Sequence, residues 1–452
     1  MNKPLRMSLY ILAALFLTNC SSAQTAPPGT PRNVVFLLGD GMGFAQVKAY
    51  RMYADDPATD IIEPLLIDGL LTGAVSTDSI RMDCEKADGP CTRDPYGITD
   101  SASSATAYAT GRDTLIGRLS MSPSGQIMTT ILEAASAHGK STGLVATSQI
   151  THASPAAFGA HVESRGQYTD IAIEYFDHQT DGKPIIDVML GGGLADMQRE
   201  DRDLVSEFRS AGYEVALNST EMQAMKGDRL LGLFAPSGMP RAWDRGETAP
   251  ALADMTRVAL DALNRNQQGF FLMIEGSQID WAAHGESVAG VVSEMEDFIA
   301  AVRVALDFAR NNGDTLVVIA ADHETGGMSL GREGIYSWNP RPLRAMKATP
   351  IAMTEHYLAG EEDLAEIVAA NVAFELSAEE IEALNATPRE EQAVYDAIAA
   401  VFNERTHTGW SSGGHTGVDV PLYAYGPGSE RFRGVMQNEA VGRTMWDVFL
   451  PE

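Results

Sequence analysis

Four short, mainly apolar stretches of the chain each lead into polar residues that can take part in chemistry. Apolar runs of this length predict strands that are covered on both faces, as in a parallel sheet. The stretches are Asn33–Leu38, Gly143–Thr147, Phe270–Ile274 and Thr315–Ala320. The polar residues that follow them are Asp40, His152, Glu275, Asp322 and His323. Because ligands gather at the carboxyl ends of strands in open α/β sheets, we expect these side chains to meet in space.

Helical patterns lie between and after these stretches. Ala251–Asn264 predicts an amphipathic helix, and Val288–Asn311 predicts a long one. Ser377 and Thr387 each begin a capping-box pattern, which predicts the start of an acidic helix. We interpret the region from about residue 335 to 405 as a helical insertion on the surface, not a separate domain.

The chain is long enough to bury a large core, with 452 residues of which 44% are hydrophobic. The strand and helix pattern predicts an α/β fold: a doubly wound sandwich with a mainly parallel central sheet and helices on both faces. We expect residues 24–452 to form a single domain. The formal net charge of -28 gives a surface that repels nucleic acids, so a nucleic-acid-binding role is not expected.

Residues 1–23 are typical of an export signal. The segment starts with basic residues, and Leu9–Leu17 is an apolar run too short to span a bilayer comfortably. Two cleavage patterns compete: Leu17–Cys20 resembles a bacterial lipobox, which would place a lipid anchor on Cys20, whereas Ser21–Ala23 fits ordinary cleavage. We therefore expect an exported protein, located in the periplasm or held at the cell surface as an outer-membrane lipoprotein.

The two remaining cysteines, Cys84 and Cys91, flank a polar loop. In an exported protein such a pair is expected to form a local disulfide, with two free thiols as the alternative. Zinc binding by this pair is not expected, because no histidine lies near it in the sequence and the chain has only 3 cysteines.

The segment Thr99–Ala107 is small, rich in hydroxyl groups and nearly free of bulky side chains. Such a segment can pack tightly against another part of the protein while it presents one hydroxyl. A lone serine is a poor nucleophile and must be activated by a base, a lowered pKa or a metal. The segment has no Gly-x-Ser-x-Gly elbow, so a hydrolase triad is not the natural interpretation.

Candidate metal ligands are spread over the rest of the chain. Asp280 and His284 are four residues apart, a spacing that places both on one face of a helix and lets both reach one metal. The Asp322-His323 pair follows a predicted buried strand, and Asp40 and His415 are each framed by glycines. Each of these features alone fits an ordinary hydrogen-bonded loop, but together they predict a metal centre.

Four motifs resemble the alkaline phosphatase family, and the resemblance runs from about Asn33 to Gly428. The motifs are Gly39–Gly43, Thr99–Ala107, Ala321–Gly327 and Ser412–Thr416. They are long, correctly ordered and highly specific. The resemblance implies a broad-specificity phosphomonoester hydrolase that acts at alkaline pH and releases inorganic phosphate, which also inhibits it. It further implies two zinc ions and one magnesium ion per subunit, and a homodimer, a state common in the family.

The resemblance also implies a role for individual residues. Ser101 matches the nucleophile that becomes phosphoserine, and Arg165 matches the arginine that grips the phosphate. The residues that match ligands of one zinc are Asp280, His284 and His415. Those that match ligands of the second zinc are Asp40, Asp322 and His323. Those that match the magnesium site are Asp40, Ser154 and Glu275.

Three further residues are expected around the metals and the phosphate: Asp100, His152 and Trp281. His152 stands where some members have aspartate, which exchanges a charged partner of magnesium for a neutral one. Trp281 stands where lysine or histidine is common, so a positive charge near the phosphate is lost. We expect faster product release and weaker phosphate inhibition than in a lysine variant. Outside the site, His161 is expected to be a packed or capping residue, and His178 and His407 are expected on the surface.

Two other functions are compatible with parts of this pattern. One is a relative from the same superfamily that acts on phosphodiesters, sulfates or phosphonates. Phosphodiesterase relatives tend to use threonine and sulfatases a modified residue, so Ser101 together with Arg165 favours monoesters. The other is a cell-surface metal-binding or phosphate-binding protein without turnover, against which the complete set of nucleophile, ligands and arginine argues.

Overall fold

The computed structural model describes residues 29–80, 97–360 and 362–451. The predicted export segment with Cys20 and the predicted disulfide between Cys84 and Cys91 lie outside these ranges. Within them, no helix combines the length and the apolar character that crossing a membrane requires.

A 10-stranded sheet forms the centre of the described chain, in the order β16-β2-β15-β10-β1-β9-β3-β6-β8-β7. All neighbouring pairs in it are parallel except those of β15, which runs antiparallel to β10 and β2. Short two-residue strands form three further pairs. The strands are β1 Asn33–Gly39, β2 Leu71–Ser76, β3 Ser141–Gln149, β4 Gln179–Thr180, β5 Lys183–Pro184, β6 Val188–Gly192, β7 Glu214–Ala216, β8 Leu230–Leu233, β9 Phe270–Gly276, β10 Thr315–Ala320, β11 Glu324–Thr325, β12 Ser329–Leu330, β13 Thr408–Gly409, β14 His415–Thr416, β15 Val420–Tyr425 and β16 Gly434–Gln437.

Helices cover both faces of this sheet. Adjacent residues of a strand point to opposite faces, and on β9 Phe271 contacts Phe158 and Phe449 while Phe270 contacts Phe308. The helices are α1 Phe44–Ala54, α2 Ser101–Thr110, α3 Ile131–Ala137, α4 Ala153–Gly159, α5 Tyr168–Asp177, α6 Leu194–Met197, α7 Leu204–Ser210, α8 Ser219–Ala224, α9 Leu252–Leu263, α10 Gln278–His284, α11 Val288–Asn312, α12 Pro350–Ala359, α13 Leu364–Asn371, α14 Ala378–Asn385, α15 Glu391–Thr406 and α16 Asn438–Phe449. The predicted α/β architecture with a mainly parallel sheet is confirmed.

The central strands and two of the helices lie close to where the apolar pattern places them. Every residue of β1, β9 and β10 is buried, as a strand covered on both faces requires. The predicted helix Ala251–Asn264 is α9, and the predicted helix Val288–Asn311 is α11, which extends one residue further.

The hydroxyl-rich segment forms α2, which is buried from Ser101 to Ala109. Gly442 of α16 allows the two helices to approach closely, since a Cβ on it would lie 2.5 Å from the Ala107 carbonyl oxygen. The Tyr108 hydroxyl donates to the Ala321 carbonyl at 2.7 Å, which ties α2 to the segment after β10. The helix therefore holds its first residue, Ser101, at the carboxyl edge of the sheet.

Helices α12 to α15 lie in the region that we interpret as an insertion. They pack against one another, and α15 also packs against α11. The capping box at Ser377 is confirmed, because the Ser377 and Glu380 side chains each accept a backbone N–H at the start of α14. The capping box at Thr387 is wrong. The Thr387 hydroxyl donates to Ala383 of the preceding helix, and α15 starts only after Glu390, which makes no side-chain cap.

Candidate active site

The polar residues at or just beyond the carboxyl ends of β1, β3, β9 and β10 meet at one edge of the sheet. Asp40, His152 and Glu275 each place one potential ligand atom within 4.8 Å of the others. Asp40 belongs at the same time to a second such group, with Asp280 and His323. The parallel sheet brings these residues together from distant parts of the sequence, because the carboxyl ends of adjacent strands share one edge.

Asp280, His284 and His415 form the most exposed of these groups. Asp280 and His284 lie one turn apart on α10, and the Asp280 carboxylate is 3.4 Å from His284 Nε2. The two Nε2 atoms of His284 and His415 are 3.1 Å apart. The Nδ1 atoms face backbone carbonyls, of Gly413 at 2.8 Å and of Thr99 at 2.9 Å. Such bonds fix the tautomer and leave each Nε2 free to bind a metal.

The candidate nucleophile, Ser101, lies beside His323 of the buried group that also contains Asp40 and Asp280. Ser101 Oγ is 3.2 Å from His323 Nε2. The same nitrogen is 3.0 Å from Asp322 Oδ2 and 3.7 Å from Asp40 Oδ1. The other oxygen of Asp322 accepts the backbone N–H of Gly41. Burial alone would raise the pKa of Asp322, but the charge of His323 outweighs burial and holds that pKa below its usual value.

The group of Asp40, His152 and Glu275 is buried, as is the predicted magnesium ligand Ser154, and several of their oxygens are unpaired. Both carboxylate oxygens of Asp40, Oε1 of Glu275 and Oγ of Ser154 have no hydrogen-bond partner among the described residues. Burial, reinforced by Asp322 and other carboxylates, raises the pKa of Asp40 well above its usual value. Burial raises the pKa of Glu275 to about 7. Carboxylate oxygens packed together, with neutral serine hydroxyls as the donors to Glu275, fit a hard divalent cation, which would neutralise them.

Arg165 is held at the rim of the site by two bonds. Its Nη1 donates to Asp100 Oδ2 at 3.0 Å, and its Nη2 lies 3.2 Å from His152 Nε2. Burial alone would raise the pKa of Asp100, but Arg165 and backbone N–H groups outweigh burial and lower it. Burial, with the charge of Arg165 adding to it, lowers the pKa of His152 to about 4, so His152 is neutral and its Nε2 accepts from Arg165. Each terminal nitrogen of Arg165 keeps a second N–H for a ligand.

A family model described as alkaline phosphatase matches residues 31–449. The chain belongs to the alkaline phosphatase family. Alkaline phosphatase 3 of Bacillus subtilis is 42% identical over 433 residues, which cover 94% of this chain and 91% of that protein. The solved cold-active alkaline phosphatase of a Shewanella species is 34% identical with a TM-score of 0.82, covering 93% of this chain and 100% of that one. A TAB5 alkaline phosphatase variant from an Antarctic bacterium, with magnesium bound in its M3 site, is 26% identical with a TM-score of 0.66 and covers 93% of this chain and 99% of that one.

These relatives establish the activity in outline. The protein is an alkaline phosphatase, a phosphomonoester hydrolase, and its clustered carboxylates and histidines could hold metal ions. Phosphomonoesters are its substrates and inorganic phosphate is its product.

Sequence reasoning missed two residues that position this alkaline phosphatase site. Thr325 Oγ1 donates to Asp280 at 2.5 Å and lies 3.2 Å from His323 Nδ1, so it orients one ligand candidate of the exposed group and one of the buried group. Glu324 bonds to Thr416, next to His415, and so fixes the short β11–β14 pair that carries this histidine. Both residues lie in the predicted Ala321–Gly327 motif, but the sequence carries no signal for where their side chains point.

The histidines outside the site behave mostly as expected. His161 is packed, with Nε2 2.7 Å from Glu133 Oε1 and Nδ1 2.9 Å from the Ser120 carbonyl oxygen. His178 has a side chain that is 37% exposed and lies 3.3 Å from the same Glu133 oxygen. His407 ends α15 in the left-handed conformation, with φ of 61°, so it has a role in local structure as well.

Proposed function

We propose that this enzyme hydrolyses phosphomonoesters in two displacements through a phosphoserine on Ser101. In the first, Ser101 Oγ replaces the alcohol on phosphorus and the P–O ester bond breaks. In the second, water replaces Ser101 Oγ and inorganic phosphate is released. The observation that carries this proposal is the 3.2 Å contact between Ser101 Oγ and His323, at the point where two groups of potential metal ligands meet.

The position of Ser101 suits a nucleophile. It is the first residue of α2, and Asp100 caps that helix by accepting the backbone N–H of Ser103 at 3.0 Å. The N-terminus of a helix carries partial positive charge, which favours an anionic phosphoryl group there. The cap also holds the Asp100 carboxylate against Arg165, so the nucleophile and the phosphate-binding group are positioned by the same residue.

We assign the metals as the family resemblance implies. Asp280, His284 and His415 would hold one zinc, and Asp40, Asp322 and His323 the second. Asp40, Ser154 and Glu275 would hold magnesium. The unpaired oxygens of Asp40, Glu275 and Ser154 support this assignment, because oxygen donors suit magnesium whereas imidazole suits zinc. When bound, the zinc ions would lower the pKa of the serine hydroxyl and stabilise charge on the leaving oxygen.

Arg165 would bind the phosphoryl group. A guanidinium presents two parallel N–H groups that match two phosphate oxygens. Asp100 and His152 hold it from behind and leave that fork available. In a protein with a net charge of -28, a local cation of this kind is needed to attract a phosphate dianion.

Three further proposals come from the sequence pattern. The basic and apolar pattern of residues 1–23 supports export to the periplasm or cell surface, with a lipid anchor on Cys20 as one variant. The family resemblance supports a homodimer. Intact mass of the mature protein and its sedimentation would test these proposals directly.

The proposed mechanism is tested by acid quench and intact mass. Purified protein is mixed with p-nitrophenyl phosphate at alkaline pH and quenched in acid, and its intact mass is measured by mass spectrometry. We expect a species heavier by one phosphoryl group, located on the peptide that contains Ser101. Ser101→Ala should remove both this species and nearly all turnover. Ser103→Ala, two residues further along α2, is the matched control and should keep both.

Metal dependence is tested in the same preparation. Turnover should disappear on chelation and return with zinc plus magnesium, with the metal content measured alongside. A protein that turns over p-nitrophenyl phosphate without ever carrying the phosphoryl group on Ser101 would contradict the mechanism. Faster turnover of an aryl phosphodiester or aryl sulfate than of the monoester would move the substrate preference to another class.

A further inference from the structure

A cavity of about 660 Å³ opens beside the exposed metal-ligand group. Its volume falls within the range of sites that enclose a small molecule. One wall is the end of α10, with Trp281 and His284, and the opposite wall comes from α12 and α15. We call this cavity the side pocket. His284 has a side chain that is 39% exposed, against 16% for His415 and 6% for Asp280. The side pocket is therefore where the metal-ligand group is open to a bound molecule.

Trp281 connects the side pocket to the phosphate-binding residues. Its indole contacts the ring of His152 edge-on, and His152 in turn lies 3.2 Å from Arg165. The ring is held in place from behind, since a Cβ on Gly238 would lie 2.5 Å from it. His152 therefore lies between Trp281 and a phosphoryl group bound at Arg165. The rest of a molecule bound in this way can reach the side pocket along the indole ring.

The geometry of the displacement also places the leaving alcohol on the side of the side pocket. In an in-line displacement the leaving oxygen lies opposite the attacking one. Ser101 Oγ attacks from the side of His323, which it contacts at 3.2 Å. The alcohol must therefore leave on a side away from His323, and His284, which lines the side pocket, offers an open side.

The walls of the side pocket are apolar. Ile351 and Leu358 of α12 and Tyr395 of α15 are half-buried and line it opposite Trp281. Tyr395 packs closely on the end of α10, since a Cβ on Gly285 would lie 2.5 Å from its hydroxyl. Two aromatic rings and two branched aliphatic side chains suit a flat apolar group.

The rim carries more negative than positive charge. Glu355 and Glu391 line the side pocket and are exposed. The one cation among its lining residues is Arg241, whose guanidinium lies over the Trp281 ring and donates to the Gln278 carbonyl. The two rim carboxylates favour a neutral or cationic group over an anionic one, whereas a metal ion on His284 would attract the phosphoryl end of the substrate.

We propose that the side pocket is a subsite for the alcohol part of the substrate, and that it selects phosphomonoesters of alcohols with a flat apolar body and no negative charge. This inference rests on the proposed function, because it needs the phosphoryl group at Ser101 and Arg165. The helices α12 and α15 would then set substrate preference while the residues at the sheet edge carry out the reaction.

The test compares 2-phenylethyl phosphate with ethyl phosphate, whose leaving alcohols have similar reactivity. We expect kcat/KM of the wild type to be about tenfold higher for the phenyl compound, the size of effect that an apolar pocket supplies. Ile351→Ala with Leu358→Ala should reduce this preference about fivefold, and Leu358→Trp, which fills the side pocket, should abolish it. His356→Ala, an exposed residue of α12 outside the lining, is the matched control and should leave it unchanged.

Binding is measured separately from turnover, by calorimetry with 3-phenylpropylphosphonate and propylphosphonate. The ratio of their Kd values should follow the kinetic preference in every variant. The charge of the rim is tested with 2-(4-carboxyphenyl)ethyl phosphate. The wild type should disfavour this anionic compound by roughly threefold at low salt, and Glu355→Gln with Glu391→Gln should remove that discrimination.

Each outcome separates this inference from the proposed function. Equal kcat/KM for the phenyl and ethyl compounds in the wild type, or a preference that survives Leu358→Trp, would overturn the subsite and leave the phosphoserine mechanism intact. Ethyl phosphate also reports whether each variant is folded and active, since it does not reach the side pocket. Failure to release phosphate from either ester would overturn the proposed function and the subsite with it.

Discussion

The indole ring of Trp281 lies edge-on to the imidazole of His152, with ring centroids 5.7 Å apart and planes at 82°. Burial lowers the pKa of His152 to about 4, so both members of the pair are uncharged when the enzyme works. Arg165, which bonds to His152, is therefore the cation that this part of the site offers to phosphate. An uncharged neighbourhood of this kind favours the release of product.

Trp281→Lys should strengthen inhibition by inorganic phosphate about tenfold. An ammonium group near a phosphate dianion contributes on the order of 1–2 kcal/mol at a partly exposed site. Because release is then slower, kcat should fall with the inhibition constant. The inhibition constant and kcat are measured with p-nitrophenyl phosphate. Trp281→Phe keeps a ring without the charge and should change the inhibition constant much less; unchanged inhibition in the lysine variant would contradict the argument.

Arg165→Lys should weaken phosphate binding by about 10- to 100-fold. Lysine keeps the charge but loses the flat fork that Asp100 and His152 hold in position. The inhibition constant of phosphate and the KM for substrate should both rise. Arg257 is an exposed helix residue that pairs with Asp254, and it lies outside the active site. Arg257→Lys is therefore the control and should leave both constants unchanged. A lysine variant that binds phosphate as tightly as the wild type would show that charge alone suffices.

The four adjacent strands β10, β1, β9 and β3 could be predicted because their signal is local, whereas the other six strands of the sheet were not predicted. The run from Thr315 to Ala320 is apolar at every position but the first, and it forms a strand with those bounds. Helix starts are less certain, since a capping pattern needs only two residues. Ser377 caps its helix, whereas the Thr387 hydroxyl is drawn back to the Ala383 carbonyl of the previous helix. The sequence pattern is the same in both places, and the preceding structure decides between them.

The site was predictable as a set of residues and not as an arrangement. Asp280 and His284 could be paired in advance because helical spacing places them on one face. The role of Thr325 could not, since it depends on a short strand pair between residues far apart in sequence. The side pocket also lay beyond prediction, because it forms between helices whose packing no local pattern specifies.

Removing metal should reverse the effect of Glu275→Gln on thermal stability. In the metal-loaded enzyme the carboxylate would hold the proposed cation, so the variant should melt at a lower temperature. In the chelated enzyme the buried Glu275 carboxylate accepts hydrogen bonds from serine hydroxyls but has no counter-charge, and a buried charge without a counter-charge is destabilising. There the variant should melt about 2–4 °C higher than the wild type. Both proteins are melted with and without chelator. Glu214→Gln, a distant exposed carboxylate, should show no such reversal, and destabilisation by Glu275→Gln in both states would argue against a cation at this position.

The ion pair between Glu133 and His161 should stabilise the protein in a limited pH window. Burial alone would lower the pKa of His161, but the hydrogen bond to Glu133 outweighs burial and raises it above 6.5. Burial alone would raise the pKa of Glu133, but the bond from His161 outweighs burial and lowers it below 4.5. The contribution of His161 to the free energy of unfolding is thus fully present below about pH 6.5 and is lost as pH rises through the pKa of the folded state. The contribution of Glu133 is lost as pH falls through the folded-state pKa of Glu133.

Glu133→Gln isolates this pair, because glutamine can keep the capping box that Glu133 forms with Thr130 while the charge is removed. The variant should lose about 1–2 kcal/mol of unfolding free energy near pH 6 and distinctly less near pH 9. His178 and Glu174 also face His161, so the difference between the two pH values, measured by denaturant titration of the metal-loaded enzyme, is the informative quantity. Glu380→Gln is the control: Glu380 forms the same capping box but pairs with Arg405, which does not titrate in this range. An equal loss at both pH values in Glu133→Gln would mean that the charge of the imidazole does not change between them, which would contradict the pH window.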